Sequence, residues 1–377
     1  MLVISLVLFG ILALLIVEAR LLKQSVHRIQ HRIHVNGTRG KSTLTAYLAA
    51  ALDDDARHTL AKITGVVPTL IHNGRSSTIF RTGGARIQEQ FRTMHYAARK
   101  KCHTLVLECM SIDPALQKLE SRVFEPTIYI LTNIRDDHRE ALGSSEAEQV
   151  RALCEAIPSN AKVITGHSSH LEAIARAVAQ KNSQLFVADQ GILHDIDMEL
   201  PPGTFPENMA MALTACKLLD IEKDNAFQRI RKFIGQQDSR LSCLDTGRDI
   251  LFLNGFDIND TESADLFMKQ WSSEFDRRKK VILFNTRADR PLRTELFAQW
   301  LVGLPDLDKV LISGNHRKRA LKILHRAGFE REQIREYNPR SENTLKHDLL
   351  EAVEDHSLIL AIGNIAGQGF KILKALK

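Results

Sequence analysis

Residues 34–43 read His34-Val35-Asn36-Gly37-Thr38-Arg39-Gly40-Lys41-Ser42-Thr43, set between a short apolar run and a helix of small residues. A loop that binds phosphate needs glycines where the backbone must approach the anion, and N–H groups aimed at it. It also needs a lysine for the outer phosphates and a hydroxyl for Mg²⁺. Gly37, Gly40, Lys41 and Ser42 supply that set. The eight-residue pattern G-x-x-x-x-G-K-[ST] would want glycine at Val35, so the match is to the shorter G-T-x-G-K-[ST]-T. Arg32-Ile33-His34-Val35 reads as the strand before the loop. Leu44 to Leu52 reads as the helix after it, rich in helix formers with apolar residues at helical spacing.

The same alternation continues downstream. Thr104-Leu105-Val106-Leu107-Glu108 is an apolar run ending in a carboxylate, and Pro126 to Ile134 is a second run ending in Arg135-Asp136-Asp137-His138. Near-continuous apolar strands separated by helices indicate a parallel sheet covered on both faces. Ligands of such sheets sit beyond the carboxyl ends of the strands. The glycine loop, Glu108 and Asp137-His138 each follow a strand, so all fall on one edge. Oxygen ligands suit Mg²⁺, which makes Ser42 and Glu108 the natural metal candidates, with His138 a less usual third. Ala61 to Pro68, His72 to Arg75 and Thr82 to Ala85 read as glycine- and hydroxyl-rich loops.

Further strands are expected at Ala161–Thr165 and Leu185–Ala188, and a helix from Phe205 to Leu219 carries Asn208 on its first turns. The polar stretch Gly235 to Asp245 marks a domain boundary. Strand and helix then alternate again, with strands at Ile250–Leu253, Val281–Phe284, Lys309–Ile312 and Leu358–Ile362. Polar groups once more follow these strands, at Asn254-Gly255-Phe256-Asp257, Asn285 to Arg290, Ser313 to His316 and Gly363-Asn364.

A length of 377 residues fits two domains. With 51 Lys+Arg against 45 Asp+Glu the net charge is +6, yet no long basic block occurs and aromatics are 6%, which argues against nucleic acid. An anionic substrate or an anionic membrane surface accounts for the excess. Five cysteines without C-x-x-C spacing read as reduced thiols of a cytosolic domain. Leu2 to Val17 is uncharged and apolar, extended by Leu21 and Leu22, and is followed by Glu18 and by the basic residues Arg20, Lys23, Arg28 and Arg32. That order opposes a cleaved signal peptide, and it places the N-terminus outside and the remainder in the cytoplasm. Residues 1–22 are therefore expected to be an uncleaved, single-pass anchor in the cell membrane.

Taken together, these residues resemble the Mur ligase superfamily of ATP-dependent amide ligases, and within it the poly-γ-glutamate synthases. The resemblance rests on Gly37-Thr38-Arg39-Gly40-Lys41-Ser42-Thr43, on Glu108 in Glu-Cys-Met-Ser and on Thr132 to His138. Asn208 in Glu-Asn-Met-Ala-Met-Ala and Arg240 complete it. It covers residues 30 to 377, with the anchor in place of a sugar-nucleotide-binding first domain. It implies a P-loop parallel-sheet ATPase domain over residues 30–238, then a smaller Rossmann-like α/β domain over 245–377. It further implies ATP on residues 37–43, adenine near Asn208, Mg²⁺ on Ser42, Glu108 and His138, and Arg240 at the γ-phosphate. Lys41, Arg240 and His138 would be the catalytic groups. Two features depart from the family. The lysine that many members carbamylate about fifteen residues after the histidine has no counterpart in Gln149 to Cys154, and Asp-x-x-His-Asn-Pro appears only loosely as Asn254 to Asp260.

The implied reaction activates a glutamate γ-carboxylate as an acyl phosphate and joins it to an amine of a growing poly-γ-glutamate chain, in a cleft between the domains. Integral membrane synthase or export subunits of capsule biosynthesis are the implied partners. The alternatives are a folylpolyglutamate-synthase-like ligase, a P-loop ATPase energising a membrane complex, and a signalling NTPase.

Overall fold

The computed structural model describes residues 2–376 except 55–56, 66, 82, 136–138, 144, 167–168, 195, 197–199, 202–203, 237–239, 339–340 and 342–343. The chain divides into two compact units, Met1–Gln236 and Gln237–Lys377.

The first unit is built on an eight-stranded sheet. Its strands are β1 (His31–Asn36), β2 (Thr59–Ile63), β3 (Thr69–His72), β4 (Arg75–Thr78), β5 (Thr104–Glu108), β6 (Ile128–Leu131), β7 (Lys162–Thr165) and β8 (Gln184–Val187). The order is β4-β3-β2-β5-β1-β6-β7-β8. Six strands run parallel, and β3 and β4 add an antiparallel hairpin at one edge. The turn expected at Asn73-Gly74 is the tip of that hairpin. Ala61-Lys62-Ile63, assigned to a loop by sequence, instead belongs to β2, a buried parallel strand, because Lys62 finds partners inside the fold. Ile33, Val35, Val106 and Ile130 are fully buried. Both faces of the sheet are covered, which explains why its central strands are apolar without alternation.

Helix α1 (Leu2–His27) precedes the sheet, α2 (Lys41–Leu52) follows the glycine loop, and α3 (Gln88–Arg99) and α4 (Pro114–Phe124) connect β4 to β5 and β5 to β6. Leu44, Leu48 and Ala51 of α2 pack with Met209, Leu213, Phe227 and Ile230 from the helices at 206–217 and 223–236 on one face. The opposite face is covered by α3, by Phe124 of α4 and by the end of α1.

Among the described residues, α1 alone is long and apolar enough to cross a membrane. Its residues from Leu2 to Leu21 are exposed, whereas Leu22, Val26 and the following Ile29 are buried against Leu60, Met94, Ala97 and Leu105. Leu22, the last residue of the expected anchor, is thus already part of the core. Deleting residues 2–21 is expected to leave a unit with an unchanged melting temperature. Deletion through Ile29 removes three buried aliphatic side chains, each contributing about 2–5 kcal/mol, and is expected to unfold the unit. Thermal denaturation of the two truncations checks this.

The second unit carries a six-stranded sheet of β9 (Leu241–Asp245), β10 (Ile250–Asn254), β11 (Lys279–Thr286), β12 (Lys309–Gly314), β13 (Ile334–Glu336) and β14 (Ser357–Ile362). The order is β13-β12-β11-β14-β10-β9, parallel except for β9. Within the boundary region read from the sequence, the helix ends at Gln236 and β9 already begins at Leu241. Asn285 and Ser313, expected after their strands, are instead the last residues but one of β11 and β12, and the polar groups at these strand ends bind one another. Asn285 donates to the Asn364 and Ala366 carbonyls at 2.6 and 3.0 Å, and Ser313 donates to Asn285 at 2.9 Å.

Candidate active site

Strand register assembles the site. β1 lies between β5 and β6, with Val35 opposite Glu108 and Asn36 opposite Leu131. Backbone bonds from Cys109 N to Val35 O (2.8 Å) and from Thr132 N to Asn36 O (2.9 Å) carry the register past the strand ends. Gly37, Glu108 and Thr132 therefore emerge side by side at the carboxyl edge.

The loop is held from beneath. Thr38 N donates to the Asn133 carbonyl at 3.0 Å. The Asn133 side-chain oxygen accepts from the Thr38 hydroxyl at 2.7 Å and from Arg39 N at 3.0 Å. Thr132 Oγ1 donates to the Arg39 carbonyl at 2.6 Å. Gly37 has φ 124°, and a Cβ there would stand 2.2 Å from Thr132 Oγ1, so no other residue fits. Gly40, with φ 80°, caps the N-terminus of α2, and a Cβ there would stand 2.7 Å from the Asn208 side-chain oxygen. Asn208 is thus a buried neighbour of the loop at Gly40. The loop ends on the first turn of α2, where free N–H groups and the helix dipole favour an anion.

Lys41 Nζ donates to the carbonyls of Gly37 (2.6 Å) and Thr38 (3.2 Å), folding the lysine back over its own loop. Ser42 Oγ donates to Glu108 Oε1 at 2.8 Å, and Thr64 N donates to Glu108 Oε2 at 2.7 Å. Burial pushes the Glu108 carboxyl above the ordinary range, opposed by the Lys41 charge and the Thr64 and Ser42 hydrogen bonds. A buried carboxylate beside a hydroxyl on a phosphate-type loop is a hard, all-oxygen donor pair, which suits a divalent cation of the Mg²⁺ or Mn²⁺ kind. His138 and its neighbours Asp136 and Asp137 lie outside the described residues. Thr43 sits half-buried in the first turn of α2.

A polar layer beneath the loop was not read from the sequence. Lys62, fully buried, donates to Gln90 Oε1 at 2.8 Å and stands 3.4 Å from Glu89, with burial lowering its pKa against the pull of that carboxylate. Gln90 donates to the Glu108 carbonyl (2.9 Å) and to Glu120 (2.5 Å). Glu120 in turn lies 3.1 Å from His34 Nε2. Asn36 donates to Gln117 at 2.9 Å and to the Tyr129 hydroxyl at 2.8 Å, and its side-chain oxygen accepts from Gly37 N at 2.8 Å. Each member satisfies another, which fixes the loop's entry strand.

Arg240 belongs to the second unit. Its guanidinium forms a two-point pair with Asp257 at 2.8 and 2.8 Å and lies 5.2 Å from the centre of the Phe267 ring.

Comparison with known proteins agrees with this architecture. The Mur ligase middle domain family matches residues 35–215, and the poly-γ-glutamate synthase CapB C-terminal domain family matches residues 241–377. The PGA synthase CapB of Bacillus subtilis (strain 168) is 23% identical over 97% of this chain and 95% of its own length. The capsule biosynthesis protein CapB of Bacillus anthracis is 26% identical over 75% of this chain and 62% of its own length. Among solved structures, E. coli FolC in complex with ADP superposes with a TM-score of 0.69 at 15% identity, covering 95% of this chain and 92% of its own. A bifunctional folylpolyglutamate synthase/dihydrofolate synthase with Mn, AMPPNP and L-glutamate bound gives 0.66 at 14% identity, covering 94% and 93%. The chain belongs to the Mur ligase superfamily of ATP-dependent ligases, joining that superfamily's middle domain to a C-terminal domain of the poly-γ-glutamate synthase CapB type.

Proposed function

We propose that this ligase forms the γ-amide bonds of poly-γ-glutamate. ATP occupies residues 37–43 with its adenine toward Asn208, and Mg²⁺ is held by Ser42, Glu108 and His138. The carrying observation is the Ser42–Glu108 oxygen pair beside Lys41 on the strapped glycine loop. The glutamate assignment draws on the CapB relatives and on a structural neighbour with L-glutamate bound. A γ-carboxylate oxygen attacks the γ-phosphorus and ADP leaves. The amine nitrogen then attacks the acyl carbon, loses a proton, and expels phosphate. Lys41 leaves its loop carbonyls for the phosphate oxygens and neutralises charge that develops there. The metal would add charge neutralisation between the phosphates. ADP release by the full chain that rises with glutamate supports the ligase reading. Release indifferent to any amino acid would turn it into an ATPase that energises a membrane complex.

In the transfer step Arg240 exchanges Asp257 for γ-phosphoryl oxygens, which a planar two-point donor suits and a lysine does not. Arg240→Lys is expected to lower kcat by tenfold or more on the order of a lost charge-assisted bond, with nucleotide affinity nearly unchanged. Single-turnover acyl-phosphate formation, trapped with hydroxylamine, beside nucleotide titration checks this. Equal losses in both would mean that Arg240 binds ATP throughout.

Helix α1 acts as a single-pass anchor with its N-terminus outside and both units in the cytoplasm, its exposed apolar face meeting lipid and integral membrane synthase or export subunits. The basic residues after the apolar run support this orientation. A C-terminal reporter active outside the cell would reverse it.

A further inference from the structure

Where α1 enters the core, a cleft of about 890 Å³ opens between its last turns, α3 and the segment after β4. Arg28, Arg86, Arg92 and Arg99 line it, together with His95, whose Nδ1 lies 2.9 Å from Ser25 Oγ of α1. Among the described residues, no carboxylate lies within ion-pair distance of those four arginines. The carboxylate that the cleft does contain, Glu89, is already taken by Arg81 at 2.7 Å and by Lys62 at 3.4 Å. At the rim, Phe80 is 94% exposed. The cleft therefore presents an uncompensated positive surface edged by an aromatic ring.

Its depth follows from the helix. A bilayer span of about 20 residues counted from Leu2 ends near Leu21, and Ser25 and Arg28 lie roughly 6 and 10 Å farther along at 1.5 Å per residue. The interfacial layer on each side of a bilayer is about 5–8 Å thick. With α1 inserted, the cleft opens at the outer edge of the headgroup layer, within reach of its long arginine side chains, where exposed aromatic rings and arginine clusters face lipid phosphates.

We propose that this cleft binds the phosphate of an anionic phospholipid from the leaflet that α1 enters, seating the first unit on the membrane surface. Guanidinium groups pair with two phosphate oxygens at once, so several in one concavity select an anionic headgroup over a zwitterionic one. The proposal rests on the anchor reading given above. It needs no contact with the glycine loop.

The test is native mass spectrometry of the full chain, taken from detergent micelles that contain equimolar phosphatidylcholine and phosphatidylglycerol. The expected result is retention of phosphatidylglycerol over phosphatidylcholine by about tenfold, as a few juxtamembrane arginines produce at an anionic surface. In the double variant Arg86→Gln/Arg92→Gln this preference should fall close to parity while ADP release in detergent stays unchanged. Equal retention of both lipids by the unmodified chain, or an undiminished preference in the variant, would overturn the proposal. So would displacement of phosphatidylglycerol by millimolar inorganic phosphate, which would make the cleft a free-anion site. Displacement by soluble poly-γ-glutamate would reassign it to the polymer. A chain that fails to float with phosphatidylcholine vesicles overturns anchor and cleft together; one that floats without lipid preference overturns the cleft alone.

Discussion

Lys41→Ala is expected to lower glutamate-dependent ADP release by about 10³-fold, the scale seen when a charged donor to a transferring phosphoryl group is removed. In the structure the ammonium group rests on the carbonyls of Gly37 and Thr38. Those bonds fold the lysine back over its own loop, and in the proposed mechanism it exchanges them for phosphate oxygens. Hydrogen bonds of this kind contribute about 0.5–1.5 kcal/mol to stability, and the loop remains strapped by Thr132 and Asn133. The variant should therefore melt within a few degrees of the parent. Turnover and melting temperature measured on the same preparation decide the matter, and near-normal turnover would remove the phosphate-loop assignment.

Glu108→Gln should be nearly as damaging to turnover, by about 10²–10³-fold, and should not weaken the nucleotide-free fold. The two effects have one source. Burial pushes the Glu108 carboxyl upward, against Lys41 and its hydrogen-bond donors. A buried acid with a raised pKa binds its proton more tightly folded than unfolded. It therefore favours folding at low pH, and that advantage is lost as pH rises through the folded pKa, leaving its charge a cost at neutral pH. Glutamine removes the charge yet keeps the bonds: its oxygen accepts from Thr64 N and its amide donates to Ser42. Divalent-metal affinity should fall, since a neutral amide oxygen replaces an anionic ligand. Metal titration in the presence of a nucleotide analogue, together with melting of the metal-free variant, tests both halves. Unchanged metal dependence would exclude Glu108 as a ligand.

Which features were legible in the sequence depends on whether neighbours along the chain carry the signal. Buried parallel strands are apolar throughout, so Ile33–Val35, Leu105–Leu107 and Ile128–Leu131 announced themselves. Gly37 and Gly40 were legible because their backbone angles and close contacts admit no side chain. β2 was not, since a lysine in the middle of Ala61-Lys62-Ile63 looks like a surface loop. What makes it tolerable inside is Glu89 and Gln90, nearly thirty residues away. Glu120 likewise reads as a solvated helix acid, yet it faces His34 and Gln90 beneath the sheet. Arg240 stood out in sequence, but its Asp257 partner, brought beside it by the pairing of β9 with β10, did not. Long-range polar pairing of this sort leaves no periodic trace.

The burial of Leu22, Val26 and Ile29 has a mechanical consequence. Three residues separate the end of α1 from β1, and β1 runs directly into the glycine loop, so with α1 in a bilayer, as proposed, little slack would be left for the first unit to swing away from it. The ten residues from His27 to Gly37 span at most about 33–36 Å, which bounds the distance from the foot of the helix to the start of the loop. On the proposed function, nascent polymer would emerge within a few nanometres of the lipid surface. Any embedded subunit that receives it would meet the enzyme by lateral diffusion in two dimensions, at a local concentration set by the membrane rather than by the cytosol.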